Sequence, residues 1–430
     1  MHSFDNFKRF IGEAKTPYHT VAAIKRRLLD EGYAELSASD SFTKPGKYFI
    51  TKNQCSLIAF RVGNEKRGFM ISATHCDTPT LKVKAITERQ PYLQLATEKY
   101  GGSIHYSWLD RPLSVAGRVV VSTDDGISTR LFDADTDLVT IPSLAIHLNR
   151  SVNEGAKHSP LDDLQPLLSL ADEKTTLEEL IADSLGVDKN SIVSHDLFLY
   201  NREDARLFGK NRDLVLSPRL DDIECTYAAL EAFVSSDAPT DSVPVLAVFN
   251  HEEIGSSTAE GAASTFLADT LYAIAGDDVS YRRMLAASFN VSADNAHAKH
   301  PNHPELSDRV GAPILGGGVV VKYNANRKYA TDAVSDGILR ILARRSGAKL
   351  QSFYSRPDLV CGSTLGSIAS TRVSILTVDV GLAQLAMHSA TESAAYSDIA
   401  ELITLFSSLF ASSLIPNGDS FTVLTSPANE

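Results

Sequence analysis

Val243-Pro-Val-Leu-Ala-Val-Phe249, followed at once by Asn250-His-Glu-Glu-Ile-Gly-Ser256, is the stretch that decides the fold. Its apolar run is too short for a helix and is bounded by polar residues, so it reads as a strand buried on both faces, as strands of parallel sheets are. What leaves its end is a His and two adjacent Glu. The same design recurs: Phe69–Thr74 delivers His75-Cys76-Asp77, and Leu285–Val291 delivers Ser292-Ala-Asp-Asn-Ala-His297. Val373–Val380 leads through Gly381 to Met387-His388-Ser389. A further cluster, Ser217-Pro-Arg-Leu-Asp221-Asp222, stands where a loop meets a helix N-terminus.

Working outward, helices are expected over Asp222–Ser235, Ser257–Leu271, Thr331–Arg345 and Ser389–Phe410, with a further strand at Gly318–Lys322. Strands that alternate with helices imply a parallel or mixed sheet covered on both faces. The N-terminal segment reads as helix, with Pro17 near its start and Gly32 at its stop, and short strands follow at Tyr48–Thr51 and Ser56–Arg61. From about Val83 to Asn201 the texture changes to β-formers at hairpin intervals, broken by a helix at Thr176–Ser184 that Thr175 or Thr176 caps. His75 precedes this region, whereas Asp221 to His388 follow it. The expected architecture is therefore an α/β catalytic domain, a mixed sheet flanked by helices, built from residues 1–84 and 206–430 with a β-rich domain, 85–205, inserted.

Composition narrows the function. The 430 residues carry 53 Asp+Glu against 41 Lys+Arg, a net charge of −12. An acidic chain without a Lys/Arg cluster is no partner for nucleic acid or an anionic membrane. No window approaches the roughly 18 apolar residues of a membrane span, and the first twenty residues have mixed charge and no apolar signal core. Cys55, Cys76, Cys225 and Cys361 lie far apart with no C-x-x-C pair, which argues against a disulfide framework and a thiolate metal knot. A cytoplasmic location is expected.

Ligands in open α/β sheets bind beyond the carboxyl ends of the strands, which is where these clusters fall. Singly, each has an ordinary explanation: a polar edge residue, an N-cap, a solvated Glu-Glu pair. Together at one sheet edge they form a set of metal ligands. Two zinc ions bring +4, neutral His75 and His388 add nothing, and Asp221, Glu253 and Asp294 add −3, so one hydroxide closes the balance. Imidazole and carboxylate suit Zn2+, with Co2+ or Mn2+ as substitutes. Adjacent at a strand end, Glu252 and Glu253 diverge, so one can ligate while the other takes the proton of the metal-bound water. Asp77, two residues after His75, can fix the tautomer of that imidazole. Metal-assisted hydrolysis of an acyl bond is the chemistry implied.

In this order, with Tyr100-Gly-Gly, Trp108-Leu-Asp-Arg111 and Ile141-Pro-Ser-Leu-Ala-Ile-His-Leu148, the motifs resemble those of the M18 aspartyl aminopeptidases. The resemblance implies a dizinc exopeptidase acting on peptides. It makes His75 and His388 terminal ligands on different metals, Asp221 the bridge, and Glu253 and Asp294 the remaining ligands. Glu252 becomes the general base and Asp77 the carboxylate behind His75. It further implies that His147, carried by the inserted dimerisation domain, reaches the neighbouring subunit's site to stabilise an oxyanion. Lys322 would receive an acidic N-terminal side chain, and dimers would assemble into a tetrahedral dodecamer. Two positions depart from the family: Thr391 fills a slot commonly held by Arg, and His105 one where eukaryotic members tend to carry Trp. Both bear on substrate preference, leaving Asp/Glu specificity less secure than hydrolysis. The alternatives are another dizinc amidohydrolase or deacylase, and a non-catalytic assembly or cargo-binding homologue.

Overall fold

A computed structural model describes residues 3–37, 39–171, 175–236 and 241–425. The chain is a mixed α/β protein centred on a nine-stranded sheet. Its middle consists of Val243–Phe249, Phe69–His75, Phe289–Ala293 and Leu376–Gly381, which run parallel to one another. Ser56–Val62 and Val319–Tyr323 flank them antiparallel. Because the middle strands are covered on both faces, their residues sort by alternation into two cores. Met70, Leu246, Val248 and Val291 face the helices Phe4–Glu13, Pro17–Asp30, Leu220–Ser235, Ala333–Ser346 and Tyr396–Phe410. Phe69, Ile71, Val245 and Ala247 face Phe266–Ala275 and Leu365–Arg372.

A six-stranded antiparallel sheet is built wholly from residues 80–201, around its own core of Leu81, Val115, Phe132 and Leu197. A third sheet joins Arg206–Phe208, Leu214–Ser217, Glu392–Ala395, Ala383–Leu385 and Ala296–His297 at the carboxyl edge of the large one. Arg219 ties these parts together. Its guanidinium donates to Ile11 O and Ala14 O, each at 3.0 Å, and to Asn201 O at 3.3 Å. It thus joins the end of the first helix to the end of the six-stranded sheet.

Several element boundaries differ from the sequence expectation. Helix is absent from 257–265, where the chain folds back so closely that a Cβ on Gly261 would meet Ser256 O; the helix is Phe266–Ala275. Leu285 and Ala286 end a helix, Asp278–Ala286, capped by Asp277, and the strand starts only at Phe289. Glu392–Ala395 pairs with Leu214–Ser217 as a strand, so the last helix begins at Tyr396. The N-terminal helix is two helices, and Thr176 caps Leu177–Leu185. No helix among the described residues is long and apolar enough to cross a membrane.

Candidate metal centre

His75 is the last residue of its strand, and Asp294 follows the end of Phe289–Ala293. Glu252 and Glu253 lie on a short turn after Val243–Phe249. Asp221 opens the helix Leu220–Ser235, where it and Asp222 depart from helical geometry. His388 sits in a loop at φ +67°. Parallel strands side by side bring the first four to one edge, and the third sheet brings the other two over it.

The two oxygens of Asp221 face different imidazoles. Oδ1 lies 3.5 Å from His75 Nε2, and Oδ2 lies 3.3 Å from His388 Nε2. His388 Nε2 is also 3.5 Å from Glu253 Oε2. Donor atoms of His75, Asp221 and Glu253 lie within 4.8 Å of one another, and so do those of His75, Glu252 and Asp294. Each imidazole is turned by its far nitrogen. His75 Nδ1 stands 3.0 Å from the carbonyl of Asp77 and 3.5 Å from its carboxylate, and His388 Nδ1 stands 3.2 Å from Gly102 O. A carbonyl only accepts, so each Nδ1 carries its hydrogen and Nε2 is the nitrogen turned toward the cluster. Asp77 does more than orient His75: its carboxylate accepts the N–H groups of Glu252 and Glu253, both at 3.1 Å, and the Tyr100 hydroxyl at 2.7 Å.

The electrostatics call for cations. Burial, then the charge of Asp294, pushes Glu252 up to about 8. Burial and Asp221 raise Glu253, and burial raises Asp294 against the pull of Lys322. Burial also opposes the charge on Asp221, yet the imidazoles of His388 and His75 facing its two oxygens hold its carboxyl below the usual range. Asp221 Oδ1 and Glu253 Oε1 are buried without a hydrogen-bond donor. Carboxylates crowded together with orphaned oxygens and two aimed imidazoles match the donor set of divalent zinc. Sulfur takes no part: Cys76 Sγ donates to Cys55 O and Phe249 O, and Cys225 Sγ to Asn295.

A cavity of about 550 Å³ opens from the cluster, walled by Lys322, Tyr329, Phe353, Cys361 and Met387. Lys322 is 2% exposed; its ammonium lies 3.4 Å from Asp294 Oδ1 and 5.5 Å from the centre of the Tyr329 ring. His147 is exposed on a turn outside this cavity, so the chain does not bring it to its own site. Thr391 also lies outside. Its hydroxyl meets Arg111 Nη1 at 3.0 Å, Asn201 Nδ2 at 2.9 Å and Glu203 Oε2 at 3.0 Å, a junction with the six-stranded sheet rather than a substrate contact. His105 Nδ1 approaches His158 O at 3.2 Å.

Sequence reasoning gave no role to Glu392 or Asp222. Glu392 is 1% exposed; Oε1 accepts the N–H of His388 at 2.7 Å and Oε2 that of Asp221 at 3.1 Å. Asp222 accepts the N–H of His75 at 3.2 Å. The one signal for Glu392 in the sequence was its place four residues after His388.

Residues 10–410 match the family model described as Aminopeptidase I zinc metalloprotease (M18). A probable M18 family aminopeptidase 2 of Clostridium acetobutylicum is 40% identical over 401 residues, 89% of this chain and 92% of that protein. Among solved structures, the cryo-EM structure of the Ape4 and Nbr1 complex superposes with a TM-score of 0.91 at 35% identity, covering 94% of this chain and 84% of that one. The S. cerevisiae mApe1 dodecamer superposes with a TM-score of 0.82 at 25% identity, covering 94% and 95%.

Proposed function

The chain belongs to the M18 family of aminopeptidase I zinc metalloproteases, and from that premise we propose that it removes N-terminal residues, acidic ones first, with two divalent cations held by His75, Asp221, Asp294, Glu253 and His388. It is a peptide hydrolase of the aminopeptidase class. The observation that carries the two-cation reading is Asp221, each of whose oxygens faces a different imidazole. When bound, the cations supply Lewis acidity that polarises the scissile carbonyl and acidifies the attacking water.

The chain's own residues do the rest. Glu252 takes a proton from the water as its oxygen attacks the carbonyl carbon, and returns a proton to the leaving amine as the C–N bond breaks. Asp77 holds the main chain of Glu252 and Glu253 so that the two carboxylates keep separate tasks. Lys322, facing the cavity beside Asp294, is the cation that receives an Asp or Glu side chain. Because that ammonium is already paired, we expect a preference rather than an absolute requirement.

Residues 85–205 act as a dimerisation domain. Around His147 the side chains of Leu144, Ile146 and Leu148 are 62%, 48% and 76% exposed, an apolar patch that a second copy would cover. His147 would then stabilise the oxyanion in the partner's site, within a tetrahedral dodecamer built from dimers in the cytoplasm. The related mApe1 structure is a dodecamer.

The test is an assay with zinc, cobalt or manganese against Asp-, Glu- and Leu-peptides, free and N-acetylated, using the native chain, Glu252→Gln and Lys322→Ala. The reading expects release from free N-termini only, near-complete loss in Glu252→Gln, and loss of the acidic preference in Lys322→Ala. Cleavage of acetylated peptides would make the protein a deacylase, and an unchanged acidic preference would retire Lys322.

A further inference from the structure

Different parts of the molecule hold the two halves of the cluster. The half at His75 and Asp294 belongs to the large sheet. Thr226 Oγ1 donates to His75 O at 2.8 Å, and Asp294 N–H donates to Val380 O at 3.1 Å. His75 and Asp294 are buried at 1% and 8% exposure, with Lys322 fixed against the latter.

No strand holds His388 or Glu253. The His388 side chain is 30% exposed, and Glu253 sits on a turn of three residues, Glu252–Ile254. Besides Glu392 and Asp77, the turn Tyr100-Gly101-Gly102, at the end of a strand of the six-stranded sheet, touches them. The Tyr100 hydroxyl binds the same Asp77 oxygen that takes the N–H of Glu253. Gly101 stands at φ +72°, so near that a Cβ there would lie 3.2 Å from Glu253 Cβ. Gly102 O receives His388 Nδ1, and Ile104 N–H donates to His388 O at 2.9 Å. Just beyond, Ser107 Oγ accepts Ala390 N–H and Asn201 Nδ2 donates to Ala390 O, both at 2.9 Å. Successive residues of one turn thus each hold one member of the cluster or its support.

We propose that the Gly101-Gly102 turn, through Glu253 and His388, is the positioning element of one metal position only, the one formed by those two residues and the Asp221 oxygen facing them. The seating of the six-stranded sheet against the large sheet then sets the affinity of that position, while the His75–Asp294 position keeps its own. Its cation loads second and leaves first. Any movement of the six-stranded sheet reaches catalysis through this position. The inference rests on the two-cation reading above.

Metal-free protein is titrated with Zn2+ or Co2+ by calorimetry, and bound metal is counted by mass spectrometry, for the native chain, Gly101→Ala and Ser107→Ala. Ser107→Ala unties the His388 loop without straining the turn, so a folding defect in Gly101→Ala leaves the test intact. In each folded variant the first equivalent should bind within about twofold of the native chain, and the second about 10–100-fold more weakly. Peptide hydrolysis lost at limiting metal should return in excess metal with KM unchanged, which a general structural lesion would not allow. Two native equivalents that weaken together, or not at all, overturn the inference and leave the two-cation reading standing. A native chain that takes up a single equivalent overturns both.

Discussion

Replacing Glu392 with Ala should weaken both metal equivalents, unlike a change in the Gly101-Gly102 turn. Its two carboxylate oxygens accept the N–H groups of His388 and Asp221 at 2.7 and 3.1 Å, so it clamps one terminal ligand and the residue shared by both positions. Leaving a buried N–H without its acceptor costs about 1–3 kcal/mol, and Glu392→Ala leaves two. Water entering the vacated space recovers part of this, leaving about 3 kcal/mol. At 1.4 kcal/mol per factor of ten, the ligand set then binds cations roughly a hundredfold more weakly. Glu392→Gln keeps one acceptor and should fall between Ala and the native residue. Calorimetric titration of the metal-free variants gives both equivalents, and circular dichroism verifies that the fold is retained. Two equivalents binding Glu392→Ala within about twofold of the native chain would refute the clamp.

Arg219→Met leaves three carbonyl acceptors without their donor where the first helix, the six-stranded sheet and the large sheet meet. It should lower stability by about 2–4 kcal/mol, seen as a drop of several degrees in the thermal midpoint; an unchanged midpoint counts against the junction. Asp196 is held at about 2: burial raises its carboxyl, but hydrogen bonds from Arg118 and Lys82 outweigh that. A carboxyl lowered in the folded state stabilises above its unfolded value of about 4, and the contribution is lost as pH falls through 2. Because Asp196 is partly exposed, this amounts to about 1 kcal/mol after screening, so Asp196→Asn should cost about that at pH 7 and only a small part of it at pH 2. Equal destabilisation at both pH values contradicts the ion-pair account.

The carboxyl edge of the sheet was legible because buried parallel strands are unbroken apolar runs, and what ends them is conspicuous. Hence Val243–Phe249 and Phe69–His75 were readable, and with them the placement of His75, Glu252 and Glu253 at that edge. Boundaries failed where tertiary pairing overrides helix-compatible sequence, as at Glu392–Ala395, whose Glu-Ser-Ala-Ala would continue a helix if it did not pair with Leu214–Ser217. Glu392 itself looks like a solvated helix residue until that pairing buries it. The contribution of Gly102 was illegible for a deeper reason: a main-chain carbonyl has no residue signature. Thr391, whose departure from the family pattern suggested altered specificity, proved to face Arg111, Asn201 and Glu203, a neighbourhood assembled from residues nearly two hundred or more positions away.

The proposed site takes two cations around Asp221, with Glu252 as the proton carrier. The most direct measurement is metal uptake and peptide turnover followed together, in the native chain and in Glu252→Gln. The account predicts two equivalents bound by both proteins, turnover by the native chain only in the metal-loaded form, and Glu252→Gln metal-loaded yet slower by a factor of about 100 or more. Full turnover by Glu252→Gln, or by protein stripped of metal, would contradict it.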